Sequence, residues 1–233
     1  YIHDVGFRDY ALQATPEILK LLRDRSLPTG RIVELGCGSG LTAEILQGAG
    51  YGVWGVDISA AMVAMAQSRV PMAEFRVASL LAIDLPACAA VISIGECLSY
   101  TFDDNSDAAL VSLFERIYQA LAPGGVFIFD VVIPGQVAPG EVVKSFTEGA
   151  DWIVLVEKQE DLIQQRLTRR IITLRQVDGF YRRTDEVHYQ RLFDVEILER
   201  VLEQVGFQVE TRVEYGQFQL PPGRVVFIAD KPC

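Results

Sequence analysis

The chain is poor in the residues that build metal centres and disulfide frameworks. It has 233 residues with only two histidines and four cysteines, and no cysteines are spaced as a CxxC pair. We therefore expect no metal site, and we expect free thiols in a cytoplasmic, reducing environment. The apolar runs are too short to span a bilayer, and no secretory leader is visible, although the sequence begins at Tyr1 rather than at a methionine.

Basic residues are also scarce relative to acidic ones. The sequence has 21 lysines and arginines against 31 aspartates and glutamates, which gives a formal net charge of −10. Because an acidic surface repels phosphate backbones and anionic lipid, nucleic acid and membranes are not expected as partners. The length and the 50% hydrophobic content predict one folded domain over residues 1–233, as a monomer or a homodimer.

Short apolar runs alternate with amphipathic segments from residue 31 to residue 132. The runs "RIVELG" and "VFIFDVV" are examples of the strand-like segments. This alternation is typical of a parallel sheet whose two faces are covered by helices. Capping residues predict helix starts at Ser59 and Asp194, and at Thr15 with Pro16 as the first helical residue.

The pattern changes after Pro134, where no further strand–helix unit follows. Asp178-Gly179 is a strong hairpin signal within this region. We expect residues 140–193 to form a small antiparallel insertion. Its three predicted strands lie near 142–158, 163–177 and 180–193. The last two strands of the chain are separated only by "QLPPG" and a few neighbours, so they should pair antiparallel.

A glycine-rich turn follows the first predicted strand, in "VELGCGSGL". The dinucleotide-binding fingerprint would need a glycine at position 41, which is Leu41, and the phosphate-binding P-loop would need a lysine that is absent. The turn therefore misses a requirement of each common phosphate site. Glu34, just before the glycines, suits a ligand with a cationic group, since a carboxylate buried alone is costly.

Asp57 closes the second predicted strand, in "GVWGVDIS". An acid at this position of a doubly wound sheet can accept both hydroxyls of a ribose. The ligand should thus carry a ribose and a cationic end, with no need for phosphate. S-adenosylmethionine meets these conditions.

The segments "VELGCGSG", "VDIS", "PGGVFIFDVV" and "VGFQVE…GRVVFIADKP" together resemble the class I S-adenosylmethionine-dependent methyltransferases. The resemblance implies an α/β fold with a doubly wound, mostly parallel seven-stranded sheet in the order 3-2-1-4-5-7-6, strand 7 being antiparallel. The insertion at 140–193 would then cap the acceptor site. The expected activity is O- or N-methylation of a small molecule. A nicotinamide-dependent oxidoreductase and a non-catalytic S-adenosylmethionine-binding protein are the alternatives.

The resemblance also implies which residues hold the cofactor. The glycines would surround its methionine part, Glu34 would support that loop or the ammonium group, and Asp57 would bind the ribose. A purely structural Glu34 is the alternative. Many relatives carry Gly-Asp after strand 3, where this chain has Ala78-Ser79. The expected cofactor residues are Glu34, Gly36, Cys37, Gly38, Gly40, Asp57, Ile58, Met62, Ser79, Leu80 and Gly95.

Three residues are candidates for catalysis: Glu96 and Tyr100 after the fourth strand, and His188 in the last insertion strand. Glu186, His188 and Arg191 match an E-x-H-x-x-R-like stretch found in similar small-molecule methyltransferases. A histidine there can take a proton from a hydroxyl or amine near neutral pH. Glu96 as an acid of a helix start, and His188 as an ordinary strand residue, are the alternatives. The arginines between 166 and 183 are either a solvated face or a site for an anionic acceptor.

Overall fold

The computed structural model of the protein describes residues 1–102 and 106–233. The helices are α1 (Ile2–Gly6), α2 (Asp9–Asp24), α3 (Leu41–Gly48), α4 (Ala60–Arg69), α5 (Asp107–Ala120) and α6 (Val195–Val205). The first strands are β1 (Arg31–Leu35), β2 (Gly52–Asp57), β3 (Glu74–Val77), β4 (Cys88–Ser93) and β5 (Leu121–Val132). The later strands are β6 (Val143–Glu148), β7 (Trp152–Asp161), β8 (Arg166–Val177), β9 (Phe180–Arg191), β10 (Gln208–Arg212), β11 (Glu214–Tyr215), β12 (Phe218–Gln219) and β13 (Arg224–Asp230).

A seven-stranded sheet forms the centre of the molecule, in the order β10-β13-β5-β4-β1-β2-β3. Strands β1 to β5 pair in parallel, whereas β13 is antiparallel to both of its neighbours, β5 and β10. Counted within this sheet, the order is 3-2-1-4-5-7-6. The predicted topology is therefore confirmed, including the antiparallel final pair.

Both faces of this sheet are buried under helices, because successive side chains of a strand point to opposite faces. In β1, Ile32 packs with side chains of α2, α3 and α4, while Val33 and Leu35 pack with side chains of α5 and α6 on the other face. This double burial explains why the strands are continuously apolar. The arrangement leaves the carboxyl ends of β1, β2 and β4 together at one edge of the sheet.

Two of the three predicted helix starts are confirmed. The side chain of Ser59 accepts a hydrogen bond from the Met62 amide, and that of Asp194 accepts one from the Ile197 amide. The start at Thr15 is wrong, because α2 runs from Asp9 to Asp24 with Pro16 inside it. The Thr15 hydroxyl donates to the Ala11 carbonyl at 2.6 Å, and the buried face of the helix stabilises it despite the proline.

The insertion is an antiparallel sheet of four strands, β6-β7-β8-β9, rather than three. The predicted strand at 142–158 breaks into β6 and β7 at residues 149–151, where the Gly149 amide donates to the Trp152 carbonyl. A side chain at Gly149 would collide with the Trp152 ring, so the turn needs glycine there. The hairpin between β8 and β9 is confirmed: Asp178 and Gly179 have φ of +52° and +82°, the positive values of a type I′ turn.

Between β10 and β13 the chain adds the small hairpin β11–β12, which the sequence pattern did not predict. Tyr215 of β11 is fully buried beneath the central sheet's edge. No helix among the described residues is long and apolar enough to cross a membrane.

Candidate active site

A cavity of about 1150 Å³ lies at the carboxyl edge of the central sheet. Its opposite walls come from one face of the β6–β9 sheet and from the N-terminal segment, including Tyr1, Phe7 and Tyr10. Gly40 does not line the cavity. The remaining predicted residues do line it: Glu34, Gly36, Cys37, Gly38, Asp57, Ile58, Met62, Ser79, Leu80, Gly95, Glu96, Tyr100 and His188.

The glycine loop has a left-handed backbone at alternate positions, with φ of +78° at Gly36, +51° at Gly38 and +81° at Gly40. A Cβ at Gly36 would collide with Cys97, whereas one at Gly38 would meet nothing within 4 Å. Gly38 therefore presents bare backbone to the cavity. Gly40 has another task, because its α-carbon packs against Ala66 of α4, where a Cβ would come within 3.0 Å.

Glu34, the second-to-last residue of β1, is a buried acid that is only 3% exposed. Its Oε2 atom has no hydrogen-bond partner among the described residues. Burial raises the pKa of this carboxyl to about 8. A hydrogen bond from Thr42 lowers the pKa in part, and the charge of Asp57 raises it further. An acid in this state is energetically poised to receive a cationic ligand.

Asp57 holds the glycine loop to the start of α4. Its carboxylate accepts the Gly38 amide at 2.9 Å and the Ser59 amide at 2.8 Å. Each carboxylate oxygen retains a further lone pair, so the group can also accept ligand hydroxyls. The neighbouring cavity wall is made of Ile58, Met62 and Leu80, together with Ser79, whose hydroxyl accepts the Leu81 amide at 3.1 Å.

Glu96 is buried in a left-handed conformation with φ of +60°. Its carboxylate accepts two hydrogen bonds from Arg169, at 2.5 and 3.1 Å, and lies 2.9 Å from the Arg224 guanidinium. Both oxygens are therefore engaged by guanidinium groups, and Glu96 is not placed to take a proton from a substrate. The geometry instead makes it the acid that orients two arginines.

His188 and Tyr100, which are 88 positions apart in sequence, meet in the cavity wall. The rings lie edge to face with centroids 5.8 Å apart, and Phe102 stacks on Tyr100 at 5.0 Å. His188 Nε2 lies 3.0 Å from the Glu186 carboxylate. Burial raises the pKa of Tyr100 to about 12, so its hydroxyl stays protonated at neutral pH. Arg191 of the same sequence stretch instead contacts Asp107 at 2.5 Å.

Asp130, inside the apolar strand β5, is a functional candidate that the sequence pattern did not single out. It is fully buried and accepts four hydrogen bonds. Two come from the hydroxyls of Tyr10 and Tyr215, at 2.9 and 2.8 Å, and two from the amides of Gly95 and Glu96, at 2.9 and 2.6 Å. A single acid between apolar strand residues was the available signal, because a buried charge requires partners.

A polar network also ties the N-terminal segment to the glycine loop. Arg69 of α4 donates to both carboxylate oxygens of Asp4 at 2.9 Å, and the Ser39 hydroxyl donates to Asp4 at 2.5 Å. At the other end of the segment, the Tyr1 hydroxyl donates to Asp151 beside β7 at 2.9 Å. The N-terminal segment is thus bound both to the glycine loop and to the insertion.

Two free thiols near the loop are inert. Burial raises the pKa of both the Cys37 and the Cys97 thiol well above the usual range. Both cysteines are therefore neutral at physiological pH and fill space beside the loop. No group of His, Cys, Asp and Glu side chains suited to a metal ion occurs among the described residues.

This geometry defines a Rossmann-like protein whose cavity places a buried acid, Glu34, and a strand-end carboxylate, Asp57, around an open glycine loop. Comparisons with known proteins agree. A family model described as a methyltransferase domain matches residues 32–125. YqeM of Bacillus subtilis strain 168, which carries a provisional methyltransferase name, is 29% identical over 203 residues, covering 80% of this chain and 77% of its own length.

Solved structures share the whole fold. An S-adenosylmethionine-dependent methyltransferase from Clostridium acetobutylicum superposes with a TM-score of 0.83 at 18% identity, over 100% of this chain and 96% of its own. CalS10 from Micromonospora echinaspora is an amino pentose methyltransferase solved with S-adenosylmethionine bound. It superposes with a TM-score of 0.81 at 19% identity, over 99% of this chain and 97% of its own.

Together, the family match over residues 32–125 and the relatives support a class I S-adenosylmethionine-dependent methyltransferase. Its own residues fit that cofactor: Glu34 offers an unpaired carboxylate oxygen, Gly38 an open backbone, and Asp57 further acceptor capacity at the strand end. Leu41 stands where a dinucleotide-binding loop would have its third glycine, and it is a buried first residue of α3. These features fit S-adenosylmethionine better than a nicotinamide cofactor.

Proposed function

We propose that this enzyme methylates a hydroxyl or amino group of a small-molecule acceptor. One observation carries the proposal: a single cavity runs from Glu34 and Asp57 at one end to His188 and Tyr100 at the other. The β6–β9 sheet, within residues 140–193, caps the acceptor end. A cavity of about 1150 Å³ is large enough for a small molecule beside the cofactor. The amino pentose acceptor named for CalS10 is consistent with this class.

At the donor end, the chain's own residues bind and orient the cofactor. Glu34 faces its ammonium group, Gly36 and Gly38 let its methionine part approach the backbone, and Asp57 accepts its ribose hydroxyls. S-adenosylmethionine supplies a methyl group on a sulfonium. Cys37 fills space beneath the loop. Ile58, Met62, Ser79 and Leu80 surround the adenine, and Gly95 allows close approach at the junction of the two ligands.

At the acceptor end, His188 is placed to take a proton from the acceptor, and Glu186 orients its ring. The Tyr100 hydroxyl remains a hydrogen-bond donor. Glu96 acts as a positioning residue through Arg169 and Arg224. Alignment of the two ligands and exclusion of water by the cap and the N-terminal segment would supply most of the rate enhancement.

The test separates cofactor binding from proton transfer. Titration calorimetry with S-adenosylhomocysteine should show at least tenfold weaker binding for Asp57→Ala, about 1.4 kcal/mol. Asp84→Ala, which alters an exposed loop acid, should bind normally. A screen of hydroxy and amino acceptors, read by product mass, identifies the methylated atom. With that acceptor, His188→Gln should lower kcat/KM on the order of 100-fold at unchanged S-adenosylhomocysteine affinity.

Failure of the wild-type protein to bind S-adenosylhomocysteine would refute the proposed function. Normal cofactor binding without transfer to any acceptor class would favour a non-catalytic binding protein. Equal losses of cofactor affinity in Asp57→Ala and Asp84→Ala would remove Asp57 from the site. An unchanged pH profile in His188→Gln would exclude His188 as the proton acceptor.

A further inference from the structure

The acceptor end of the cavity contains a concentration of positive charge that is unexpected in an acidic protein. Lys158 of β7, Arg169 of β8 and Arg224 of β13 all line it. Lys158 and Arg169 are directly opposite each other across the β7–β8 pair. Like charges in such a pair destabilise a sheet unless an anion lies between them. We call these three residues the cationic cluster.

Among the described residues, Glu96 is the one carboxylate in ion-pair contact with the cationic cluster. Glu96 pairs with both arginines. Lys158 has no carboxylate within ion-pair distance among the described residues, and its ammonium instead donates to the Gln136 amide oxygen at 3.0 Å. Glu160, the nearby acid of β7, is occupied by the amides of residues 135–137. Two of the three cations thus share one carboxylate, and Lys158 has none of its own.

The arginines of the cationic cluster also have unused hydrogen-bond capacity. The Nε atoms of Arg169 and Arg224 are buried without a partner in the described structure. Arg169 is only 8% exposed. Leaving buried donors of charged groups unpaired is costly, and a ligand with anionic oxygens would offset that cost after a small side-chain adjustment. Burial, followed by the charge of Arg169, lowers the pKa of Lys158, and a bound anion would reverse this effect.

We infer that the acceptor carries an anionic oxygen group, a carboxylate or a phosphate, which binds at the cationic cluster. The inference rests on the proposed function, since it concerns the acceptor of the same site. It assigns Lys158 as the main specificity residue, because this cation lacks a carboxylate partner of its own. Arg169 and Arg224, oriented by Glu96, complete the subsite. The anion anchors the acceptor beside the row of side chains formed by Lys158, Arg169 and His188.

The test measures binding of charged and neutral probe pairs to protein saturated with S-adenosylhomocysteine, at constant ionic strength. Citrate is compared with its trimethyl ester, and glucose 1-phosphate with glucose, which distinguishes a carboxylate from a phosphate. At least one anionic probe should bind ten times more tightly than its neutral counterpart. Lys158→Met should weaken that probe at least fivefold, whereas Lys158→Arg should retain most of the affinity.

Lys144→Met is the matched control. Lys144 lies on β6 of the same sheet, outside the cavity wall, with its side chain 70% exposed and paired with Glu157. The Lys144→Met substitution removes the same charge from the protein as Lys158→Met but should leave probe binding unchanged. Equal binding of charged and neutral probes, no binding of either anionic probe at millimolar concentration, or equal losses in the two methionine variants would overturn the inference. If the wild-type protein does not bind S-adenosylhomocysteine, that result would instead overturn the proposed function.

Discussion

Replacing Glu34 by glutamine should abolish a pH dependence of cofactor binding. In the free protein the pKa of Glu34 is raised to about 8, first by burial and then by the charge of Asp57. The carboxyl is therefore mostly protonated at neutral pH. If the bound ammonium group requires the carboxylate, binding must release this proton. Affinity for S-adenosylhomocysteine should then rise with pH until the solution passes the pKa of the free carboxyl.

The size of the effect follows from that pKa. Ionising the carboxyl costs about 1.4 kcal/mol for each pH unit below 8. At pH 6 the cost is nearly 3 kcal/mol, and at pH 8 only a few tenths remain. The affinity of the wild type should therefore increase on the order of 50-fold between pH 6 and pH 8 and then level off. Glutamine at position 34 keeps the size of the side chain but cannot ionise, so the increase in affinity between pH 6 and pH 8 that is due to Glu34 should disappear.

Titration calorimetry in buffers of different ionisation enthalpy measures both the affinity and the proton released. His3 also lines the cavity, and burial lowers its pKa, so only the difference between the wild type and Glu34→Gln is assigned to Glu34. Glu44→Gln, at an acid of α3 whose side chain is 58% exposed, is the control and should follow the wild type. A Glu34→Gln profile that parallels the wild type would refute a contact between Glu34 and the ammonium group.

Two further substitutions test the framework around the site. Asp130→Asn should lower the free energy of unfolding in urea by about 2–4 kcal/mol, since one of the four buried donors must then face the amide group of the new side chain. Asp230→Asn, at a partly exposed ion pair, is the control and should cost about 1 kcal/mol or less. Equal losses in the two variants would contradict the role of Asp130. Gly36→Ala should weaken S-adenosylhomocysteine binding at least tenfold, because of its positive φ and its contact with Cys97. Gly48→Ala, where a Cβ meets nothing within 4 Å, should bind normally, and normal binding by both variants would show that the loop tolerates a side chain.

The fold was largely predictable because its signals are local. The continuous apolar strands, the short link before the last strand and the Asp178-Gly179 turn each depend on neighbouring residues, and each is confirmed. The failures have tertiary causes. Pro16 resembles a helix start, but the packing of α2 on the sheet extends the helix through it. The break at Gly149 depends on the position of the Trp152 ring, which no local pattern reveals.

The cofactor end could be proposed from the sequence for the same reason, since the glycine loop is one continuous motif. The acceptor end could not, because its groups come from distant parts of the chain. Glu96 was a candidate for catalysis from its place after β4, yet its partners Arg169 and Arg224 are 73 and 128 positions away, a relation that only the folded chain shows. Asp130 gave no clear signal within its apolar strand, because the groups that stabilise its charge come from distant parts of the chain and not from its neighbours in sequence.

Asp130 connects these two ends of the site. Its carboxylate accepts the amides of Gly95 and Glu96, which line the cavity where the proposed cofactor and acceptor ends meet. The Tyr10 hydroxyl brings α2 to the same carboxylate. The left-handed turn at Glu96 then directs that side chain toward the arginines of the β6–β9 sheet and of β13. A single buried acid of the central sheet thus fixes the backbone that orients the cationic cluster. For this reason a neutral residue at position 130 should disturb both ligands together, whereas Lys158→Met should affect the acceptor alone.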